Sequence, residues 1–345
     1  MPLVKPKALQ PGDKVAVISL SWGGAGELPA RYEQGKKQLQ ATFGLEVVET
    51  THALKSAQWL SDNPRARAQD LMAAFADPAI KAIISTIGGD DSCRILRYID
   101  LEIIQQNPKI FLGFSDSTIT HLLCLKAGLT SFYGTSLLVG FAENGGMFPY
   151  QIVDLQCTLF SANAVGEVPQ NKAGWTSELL DWSDSSLQHT KRKLVPSAGW
   201  NFLQGNHLVQ GRLMGGCLEA LESLKGTAFW PAAEQWTDAI LFFETSDAKP
   251  EPDYFRWWLR NYAQQGILHA AKGILLGRPD NNAYVQEYNA ELLNVLREEG
   301  LTDLPVITEM DFGHTSPVFT LPYGVLAQID CVNHTFSLLE SGVEA

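Results

Sequence analysis

Three segments of the sequence carry residue types that together could cleave an acyl bond. The first is Gly113-Phe114-Ser115-Asp116-Ser117, in which a serine follows an apolar run and precedes a helical one. A serine on such a strand-to-helix turn is exposed, and the free N–H groups and positive dipole end of the helix favour a developing oxyanion. The segment departs from the Gly-x-Ser-x-Gly elbow of α/β-hydrolases at Ser117. Spacing alone therefore leaves helix capping by Ser115, Asp116 or Ser117 as an equal alternative.

The other two segments could supply a carboxylate and a general base. Glu244 follows the apolar run 239–243, and a carboxylate at that point can orient a histidine and stabilise its charged form. Taken alone, Glu244 is better explained as a capping or salt-bridging acid. His314 lies between a glycine and a hydroxyl-rich turn that ends in Pro317, so we expect it at a loop tip. Among the seven histidines, His314 is the best candidate for the base.

A fourth segment, 85–92, contains the pair Gly88-Gly89 at a predicted strand end. Paired glycines let backbone N–H groups approach a substrate closely, as an oxyanion hole requires. A tight turn capped by Asp90 explains the same residues. Neither this segment nor Gly23-Gly24-Ala25-Gly26 matches the Gly-x-Gly-x-x-Gly pattern or a phosphate-binding loop. The sequence thus disfavours a dinucleotide, and we expect no cofactor.

These segments belong to a pattern of short apolar runs that alternate with helical stretches. That alternation predicts βαβ units and a mostly parallel sheet, with reactive groups at the carboxyl ends of the strands. We predict strands near residues 14–20, 45–50, 82–87, 110–114, 208–213, 239–243, 273–277 and 305–308, and helices near 34–42, 63–75, 119–127, 252–265 and 288–299.

The length of 345 residues suits two domains rather than one compact core. The predicted division is an N-terminal domain over 1–162, a linker or substrate loop over 163–206, and a C-terminal domain over 207–345. The middle segment has no sustained periodicity, and long loops of this kind are often functional lids.

Composition excludes several classes of function. The 45% hydrophobic and 19% charged residues are typical of a folded globular protein. A formal net charge of −12 argues against nucleic-acid binding, which depends on Lys and Arg. No apolar stretch reaches the roughly 18 residues of a membrane span, and the amino terminus lacks the apolar core of an export signal. We expect a cytoplasmic protein without a metal site, whose five dispersed cysteines are reduced.

Taken together, several segments resemble the LD-carboxypeptidase family of serine peptidases, and within it the microcin C immunity (MccF-like) branch. The resemblance is carried by Gly88-Gly89-Asp90-Asp91, Gly113-Phe114-Ser115-Asp116, Gly211-Arg212-Leu213-Met214-Gly215-Gly216, Glu244 and Asp311-Phe312-Gly313-His314, with Pro11-Gly12-Asp13 and Gly226-Thr227-Ala228-Phe229-Trp230-Pro231 beside them. It covers nearly the whole chain. It implies an α/β fold with a flavodoxin-like parallel-sheet N-terminal domain, a smaller α/β C-terminal domain, the active site between them, and commonly a homodimer.

The resemblance also implies roles for individual residues. Ser115 would be the nucleophile, His314 the general base and then acid, and Glu244 the group that orients His314. The reaction would be acyl transfer to Ser115 followed by hydrolysis of the acyl-enzyme, without a metal. The oxyanion would be held by the backbone N–H groups of Gly89 and Asp116.

The residues that would contact the substrate are harder to predict. Gly88 and Asp90 flank the expected oxyanion hole. In the immunity branch a loop tryptophan stacks on adenine, and either Trp175 or Trp182 could do so, or could simply pack beneath the loop. Lys249 and Arg278 could hold a substrate carboxylate or phosphate-like group, or could be solvated surface charges.

Three functions stay open at the level of sequence. The immunity branch cleaves the amide that joins an acidic aminoacyl group to a modified adenylate, and the tryptophans of 174–183 favour this substrate. LD-carboxypeptidases instead remove a terminal D-amino acid from murein tetrapeptides. A non-catalytic, two-lobed protein that binds a small molecule is the alternative from another class.

Overall fold

Fourteen strands form two sheets in the computed structural model, which describes residues 3–345. The strands are β1 (Lys14–Ile18), β2 (Glu46–Glu49), β3 (Ile80–Ser85), β4 (Ile110–Gly113), β5 (Phe132–Tyr133), β6 (Gly166–Glu167), β7 (Asn201–Gln204), β8 (Leu208–Cys217), β9 (Ala239–Glu244), β10 (Gly273–Gly277), β11 (Val306–Met310), β12 (Leu321–Pro322), β13 (Leu326–Asp330) and β14 (Thr335–Leu338). All eight predicted strands are present within a few residues of their expected bounds.

Eleven α-helices lie among these strands in the described part of the chain. They are α1 (Gly24–Glu27), α2 (Pro29–Phe43), α3 (Ala57–Asp62), α4 (Pro64–Ala76), α5 (Leu101–Gln106), α6 (Thr118–Lys126), α7 (Pro149–Leu159), α8 (Leu218–Leu224), α9 (Pro252–Gln264), α10 (Ile267–Ala270) and α11 (Val285–Glu298). The five predicted helices are α2, α4, α6, α9 and α11. None of the helices within residues 3–345 combines the length and the apolar character that a membrane crossing needs.

The first sheet has the strand order β12-β5-β4-β3-β1-β2. Its strands β1 to β5 are parallel and follow the order 2-1-3-4-5, which is the flavodoxin-like arrangement. The predicted flavodoxin-like sheet is therefore confirmed. β12, from the C-terminal part of the chain, pairs antiparallel with β5 and completes the edge.

The second sheet has the order β6-β14-β13-β8-β9-β10-β11-β7. Its centre, β8 to β11, is parallel, and antiparallel strands cover both edges. The edge strands β6 and β7 come from 163–206, the segment predicted as a linker or substrate loop. That segment is therefore tied to the second sheet at both ends, while the proposed domain bounds stay a prediction.

Local sequence explains where several helices begin and end. α2 starts with Pro29, whose fixed φ suits the first turn, and stops at Gly44, which has a φ of 70°. The side chain of Ser56 accepts a hydrogen bond from the Trp59 N–H and so caps α3.

One apolar core continues from the first sheet into the second. Alternate residues of β1 face opposite sides of the sheet, with Val15 and Val17 packing towards α2 and Ala16 and Ile18 facing the shared core. Phe111 in β4 lies in that shared core together with the inner strands of the second sheet. The carboxyl ends of the two parallel sheets are consequently held in a fixed relation to each other.

Candidate active site

Ser115 lies on a sharp turn between β4 and α6. Its φ of 60° is a left-handed conformation that residues other than glycine rarely adopt, and strain of this kind is typical of nucleophile turns. A short 3-10 turn, Ser115–Ser117, leads into α6. Only 9% of Ser115 is exposed, so the serine that was expected to be exposed lies instead at the floor of a cavity.

The side chains of this turn do not cap the following helix. Neither the 3-10 turn nor α6 begins with a side-chain capping hydrogen bond. Asp116 Oδ2 instead accepts hydrogen bonds from the backbone N–H groups of Asp91 and Ser92, at 3.1 and 2.9 Å. Asp116 thereby holds the loop that follows β3 against the turn that follows β4. The structure does not support the alternative in which this turn caps α6.

His314 connects Ser115 to Glu244 between the two sheets. Its Nε2 lies 3.1 Å from Oγ of Ser115, and its Nδ1 lies 2.6 Å from Oε2 of Glu244. In a neutral imidazole that donates Nδ1–H to the carboxylate, Nε2 is the acceptor for the serine hydroxyl. This orientation lets Nε2 take the serine proton when the oxygen attacks a carbonyl carbon.

Glu244 occupies a space that two glycines make available. The residue is 1% exposed. A Cβ on Gly313 would lie 2.7 Å from Oε2 of Glu244, and a Cβ on Gly277 would lie 3.0 Å from its Cβ. Oε1 accepts a hydrogen bond of 2.5 Å from the hydroxyl of Tyr133, so both carboxylate oxygens have a partner. Glu244 is thus a buried, fully oriented acid and does not cap a helix.

The surrounding carboxylates set the pKa of His314. Burial lowers this pKa, but Glu244, followed by Asp247 and Glu219, more than offsets burial and raises the pKa from 6.5 to about 9. The carboxylates therefore stabilise the imidazolium. An imidazolium is the species that proton transfer from Ser115 would produce, so the charge distribution favours that step.

The glycines of the loop that follows β3 lie close to Ser115 and Ser21. A Cβ on Gly88 would lie 2.9 Å from Cβ of Ser115, so only glycine lets the loop approach this closely. Gly89 has a φ of 140°, and a Cβ there would lie 2.4 Å from Oγ of Ser21. Within residues 3–345 the N–H groups of Gly89 and Asp116 form no hydrogen bond, which suits donors reserved for an oxyanion.

A cavity of about 1020 Å³ opens over Ser115 and His314. Its wall is largely apolar and includes Trp22, Leu28, Ile87, Phe114, Val139, Leu179, Leu180 and Trp182. The guanidinium of Arg31 lies 4.6 Å from the ring centre of Trp182, and Arg31 is itself buried and donates to the Leu138 carbonyl at 2.9 Å. Trp182 is therefore held in place at the cavity wall.

Known protein families match both halves of the chain. The LD-carboxypeptidase N-terminal domain matches residues 15–134, and the LD-carboxypeptidase C-terminal domain matches residues 210–329. A relative from Vibrio cholerae, named "Putative carboxypeptidase", is 30% identical over 350 residues, or 98% of each chain. The chain belongs to the LD-carboxypeptidase family. This membership supports peptidase activity.

Family members with different names are similar to this chain. The "Probable murein peptide carboxypeptidase" of Bacillus subtilis is 28% identical, over 98% of this chain and 95% of its own length. The microcin C7 self-immunity protein MccF of Escherichia coli is 27% identical, over 95% of this chain and 94% of its own length.

Solved structures of MccF-like proteins share the fold. A Streptococcus pneumoniae MccF-like protein in complex with AMP gives a TM-score of 0.87 at 30% identity and covers 94% of this chain and 98% of its own. MccF in complex with aspartyl sulfamoyl adenosine gives a TM-score of 0.86 at 26% identity and covers 99% and 100%. These matches confirm the two-domain α/β architecture.

Some of the residues predicted to contact the substrate line the cavity, and others do not. Gly88, Gly89, Asp90 and Trp182 line the cavity, whereas Trp175 does not. Trp175 is 5% exposed and packs under the loop, with the guanidinium of Arg278 5.1 Å from its ring centre. Of the two tryptophans, only Trp182 is placed to meet a ligand in this cavity.

The two predicted cations also lie outside the cavity lining. Arg278 is 2% exposed, and its Nη2 lies 3.4 Å from Oδ1 of Asp311. Lys249 forms an ion pair with Asp280, at 2.9 Å. The cations are thus paired with acids of the same chain, and their contact with a substrate stays a prediction.

Apart from His314, the charged residues that line the cavity are acidic. Asp90, Asp181 and Asp247 are exposed at its wall, and the described lining contains no Lys or Arg. These three carboxylates give the cavity a negative electrostatic potential, which disfavours the binding of a substrate carboxylate next to them.

The contacts of Tyr133 and Arg31 were not predicted from the sequence. Tyr133 lies in a strand of two residues, which has no measurable periodicity. A signal was nevertheless available, because a strand must follow α6 in a βαβ unit and Phe132-Tyr133 is an aromatic pair at that place. Arg31 is an ordinary helix residue in the sequence, and nothing there indicates that it contacts Trp182.

Proposed function

We propose that this protein is a serine hydrolase that cleaves an amide bond through an acyl-enzyme at Ser115. The observation that carries the proposal is the continuous hydrogen-bonded path from Ser115 Oγ through His314 to Glu244, with distances of 3.1 and 2.6 Å. The three side chains come from three strand ends in two sheets. A nucleophile, a base and an orienting acid in contact are the geometry that acyl transfer needs.

The proposed reaction uses these groups in sequence. His314 takes the hydroxyl proton as Ser115 attacks the carbonyl carbon, and Glu244 stabilises the imidazolium that forms. The N–H groups of Gly89 and Asp116 hold the oxyanion. His314 then gives the proton to the leaving nitrogen, and a water activated by His314 hydrolyses the acyl-enzyme.

The proposed substrate is an aminoacyl or peptidyl group joined by an amide to a modified adenylate. Trp182 supports this choice, because an indole face fixed at the cavity wall suits stacking on a purine. The volume of about 1020 Å³ is large enough for a nucleoside and an aminoacyl group. Relatives of the same fold were solved with AMP and with aspartyl sulfamoyl adenosine.

The charge of the acyl group is a separate part of the proposal. The family resemblance predicts an acidic aminoacyl group. The acidic lining formed by Asp90, Asp181 and Asp247 favours a neutral or basic one, because a substrate carboxylate would be desolvated beside like charges. We therefore extend the proposed substrates to aminoacyl groups without a carboxylate side chain.

A second candidate function is a murein tetrapeptide LD-carboxypeptidase. The similarity to the Bacillus subtilis murein relative favours it. The acidic cavity disfavours it, because the terminal carboxylate of a D-amino acid would have to lie near Ser115 without a lining Lys or Arg.

One experiment distinguishes these candidate functions. Purified protein is incubated with an aminoacyl sulfamoyl adenosine and with an L,D-linked muropeptide, and the products are resolved by mass spectrometry. We expect cleavage of the adenylate analogue and its loss in Ser115→Ala. Cleavage of only the muropeptide would replace the first candidate by the second, and binding without cleavage of either would indicate the non-catalytic binding protein.

Two expectations from the family concern the state of the protein in the cell. We propose that it acts in the cytoplasm, where an aminoacyl adenylate would be met, and that it assembles as a homodimer. Cell fractionation checks the first, and sedimentation equilibrium checks the second.

A further inference from the structure

The hydroxyl of Tyr133 joins the two ends of the Ser115–His314–Glu244 path. It accepts a hydrogen bond from the backbone N–H of Ser115 at 2.9 Å and donates one to Oε1 of Glu244 at 2.5 Å. Together with the contacts of His314, these bonds close a ring that runs from Ser115 Oγ through His314, Glu244 and Tyr133 back to the Ser115 backbone.

The direction of each hydrogen bond follows from chemistry. A backbone N–H can only donate, so the Tyr133 oxygen is the acceptor at Ser115. The single phenolic proton is then directed to Glu244, which accepts. Burial and the charge of Glu244 both raise the pKa of Tyr133 well above its ordinary value, so the phenol keeps this proton at neutral pH.

The ring of Tyr133 is immobilised by its surroundings. Tyr133 is fully buried, and its backbone pairs with Gly113 on one side and with Leu321 on the other. Its ring centre lies 5.5 Å from those of both His121 and Phe242. A side chain held by two strands and two rings has one available position for its hydroxyl.

We infer that Tyr133 is a positioning residue for the acyl transfer, an inference that rests on the proposed function. Its hydroxyl fixes the rotation of the Glu244 carboxylate, so that Oε2 points at Nδ1 of His314. It also engages the N–H of Ser115, which leaves Gly89 and Asp116 as the oxyanion donors. The side chain of Tyr133 thus connects the strained turn of Ser115 in the first sheet to Glu244 in the second.

Tyr133→Phe removes the hydroxyl and keeps the ring. Without its donor, the Glu244 carboxylate acts more strongly on His314, so we expect the pKa of His314 to rise by roughly 0.5 unit or more. We expect kcat to fall about 10- to 100-fold, as for one lost hydrogen bond to a charged group, with KM changed less than about 3-fold. The pKa is measured by NMR titration of the His314 ring, and the kinetic constants are measured on the cleaved amide.

Tyr323→Phe is the matched control. Tyr323 is also fully buried, its ring centre lies 5.0 Å from that of His121 and 5.1 Å from that of Phe242, and its hydroxyl donates to the Gly215 carbonyl. Within residues 3–345 it forms no hydrogen bond to Ser115, Glu244 or His314. We expect this variant to lose stability and to keep the wild-type kcat and the wild-type pKa of His314.

A second, milder substitution tests the same inference if Tyr133→Phe does not fold. Incorporation of 3-fluorotyrosine at position 133 keeps the ring and both hydrogen bonds but makes the phenol a stronger donor, so the pKa of His314 should shift downward. The inference is overturned if neither variant moves this pKa or if Tyr323→Phe moves it equally. Because the titration needs no turnover, it decides the role of Tyr133 even if the wild type cleaves no amide, which would count against the proposed function alone.

Discussion

Oγ of Ser115 and Nε2 of His314 lie 3.1 Å apart, although 199 residues separate them in the chain. Ser115 follows β4 of the first sheet, and His314 follows β11 of the second. The contact therefore depends on how the two sheets are packed as much as on either loop. The shared apolar core, which contains residues of both sheets, provides that fixed packing.

The raised pKa of His314 predicts that activity increases towards alkaline pH. Because the pKa is raised to about 9, most His314 is protonated at pH 7 and cannot accept the proton of Ser115. We expect kcat/KM to rise about tenfold per pH unit below about pH 9 and to level off above it. Glu244→Gln removes the charge that favours the imidazolium, so the rise should move to lower pH while kcat falls. If the rise in kcat/KM had an apparent pKa at or below the ordinary histidine value of about 6.5, His314 would not be the base with the raised pKa.

Gly313→Ala should damage catalysis more than stability. The new Cβ would lie 2.7 Å from Oε2 of Glu244 and displace the carboxylate from His314. Gly12→Ala is the matched control, since its φ of 92° is close to the 97° of Gly313 and a Cβ there meets nothing within 4 Å. Each variant should lose about 1–2 kcal/mol of unfolding free energy from the left-handed backbone, and Gly313→Ala loses a further amount from the displaced carboxylate. We expect kcat to fall at least about 100-fold in Gly313→Ala and to stay unchanged in Gly12→Ala, so equal kcat values in the two variants would argue against the role of Glu244.

Trp182→Ala should weaken the binding of AMP. Loss of one stacked aromatic ring costs about 1–3 kcal/mol, which corresponds to a Kd higher by roughly 5- to 150-fold. Trp257→Ala removes a half-exposed tryptophan of α9 that does not line the cavity, and it should leave the Kd unchanged. Isothermal titration with AMP measures both variants. An unchanged Kd in Trp182→Ala would exclude stacking at this wall.

The charge of the cavity predicts a preference among aminoacyl groups. A series of aminoacyl sulfamoyl adenosines with lysyl, alanyl and glutamyl groups should be cleaved with kcat/KM decreasing in that order, because Asp90 and Asp247 line the cavity. Asp247→Asn should reduce the difference between the lysyl and glutamyl compounds. A preference for the glutamyl compound would restore the acidic substrate that the family resemblance predicts.

Much of the fold could be predicted because its signals are local. Apolar runs alternating with helical stretches predicted β1 to β4 and the parallel centre of the second sheet. Ser115, Glu244 and His314 could be predicted as candidates because each lies at the end of a predicted strand or in the loop after one, where reactive groups cluster in parallel sheets. Their mutual contact was implied by the family resemblance alone, since it depends on the packing of one sheet against the other.

Several features of the site depend on the fold and leave no pattern in the sequence. Lys249 and Arg278 lie outside the cavity lining because Asp280 and Asp311, each about 30 residues away, form ion pairs with them, and such pairing depends on the fold rather than on a pattern. The choice between Trp175 and Trp182 depends on the path of a loop without periodicity. Tyr133 was missed because two residues are too few to show a strand.

The activation of Ser115 as a nucleophile is tested most directly by covalent labelling with an alkyl fluorophosphonate, followed by peptide mass spectrometry. The serine oxygen displaces fluoride from phosphorus and leaves a phosphonyl group on the enzyme, so the reaction needs an activated serine but no knowledge of the substrate. We predict one label on the peptide that contains Ser115, none in Ser115→Ala, and a rate at least about 100-fold lower in His314→Ala. Labelling of another residue, or labelling of Ser115 at the same rate without His314, would contradict the account.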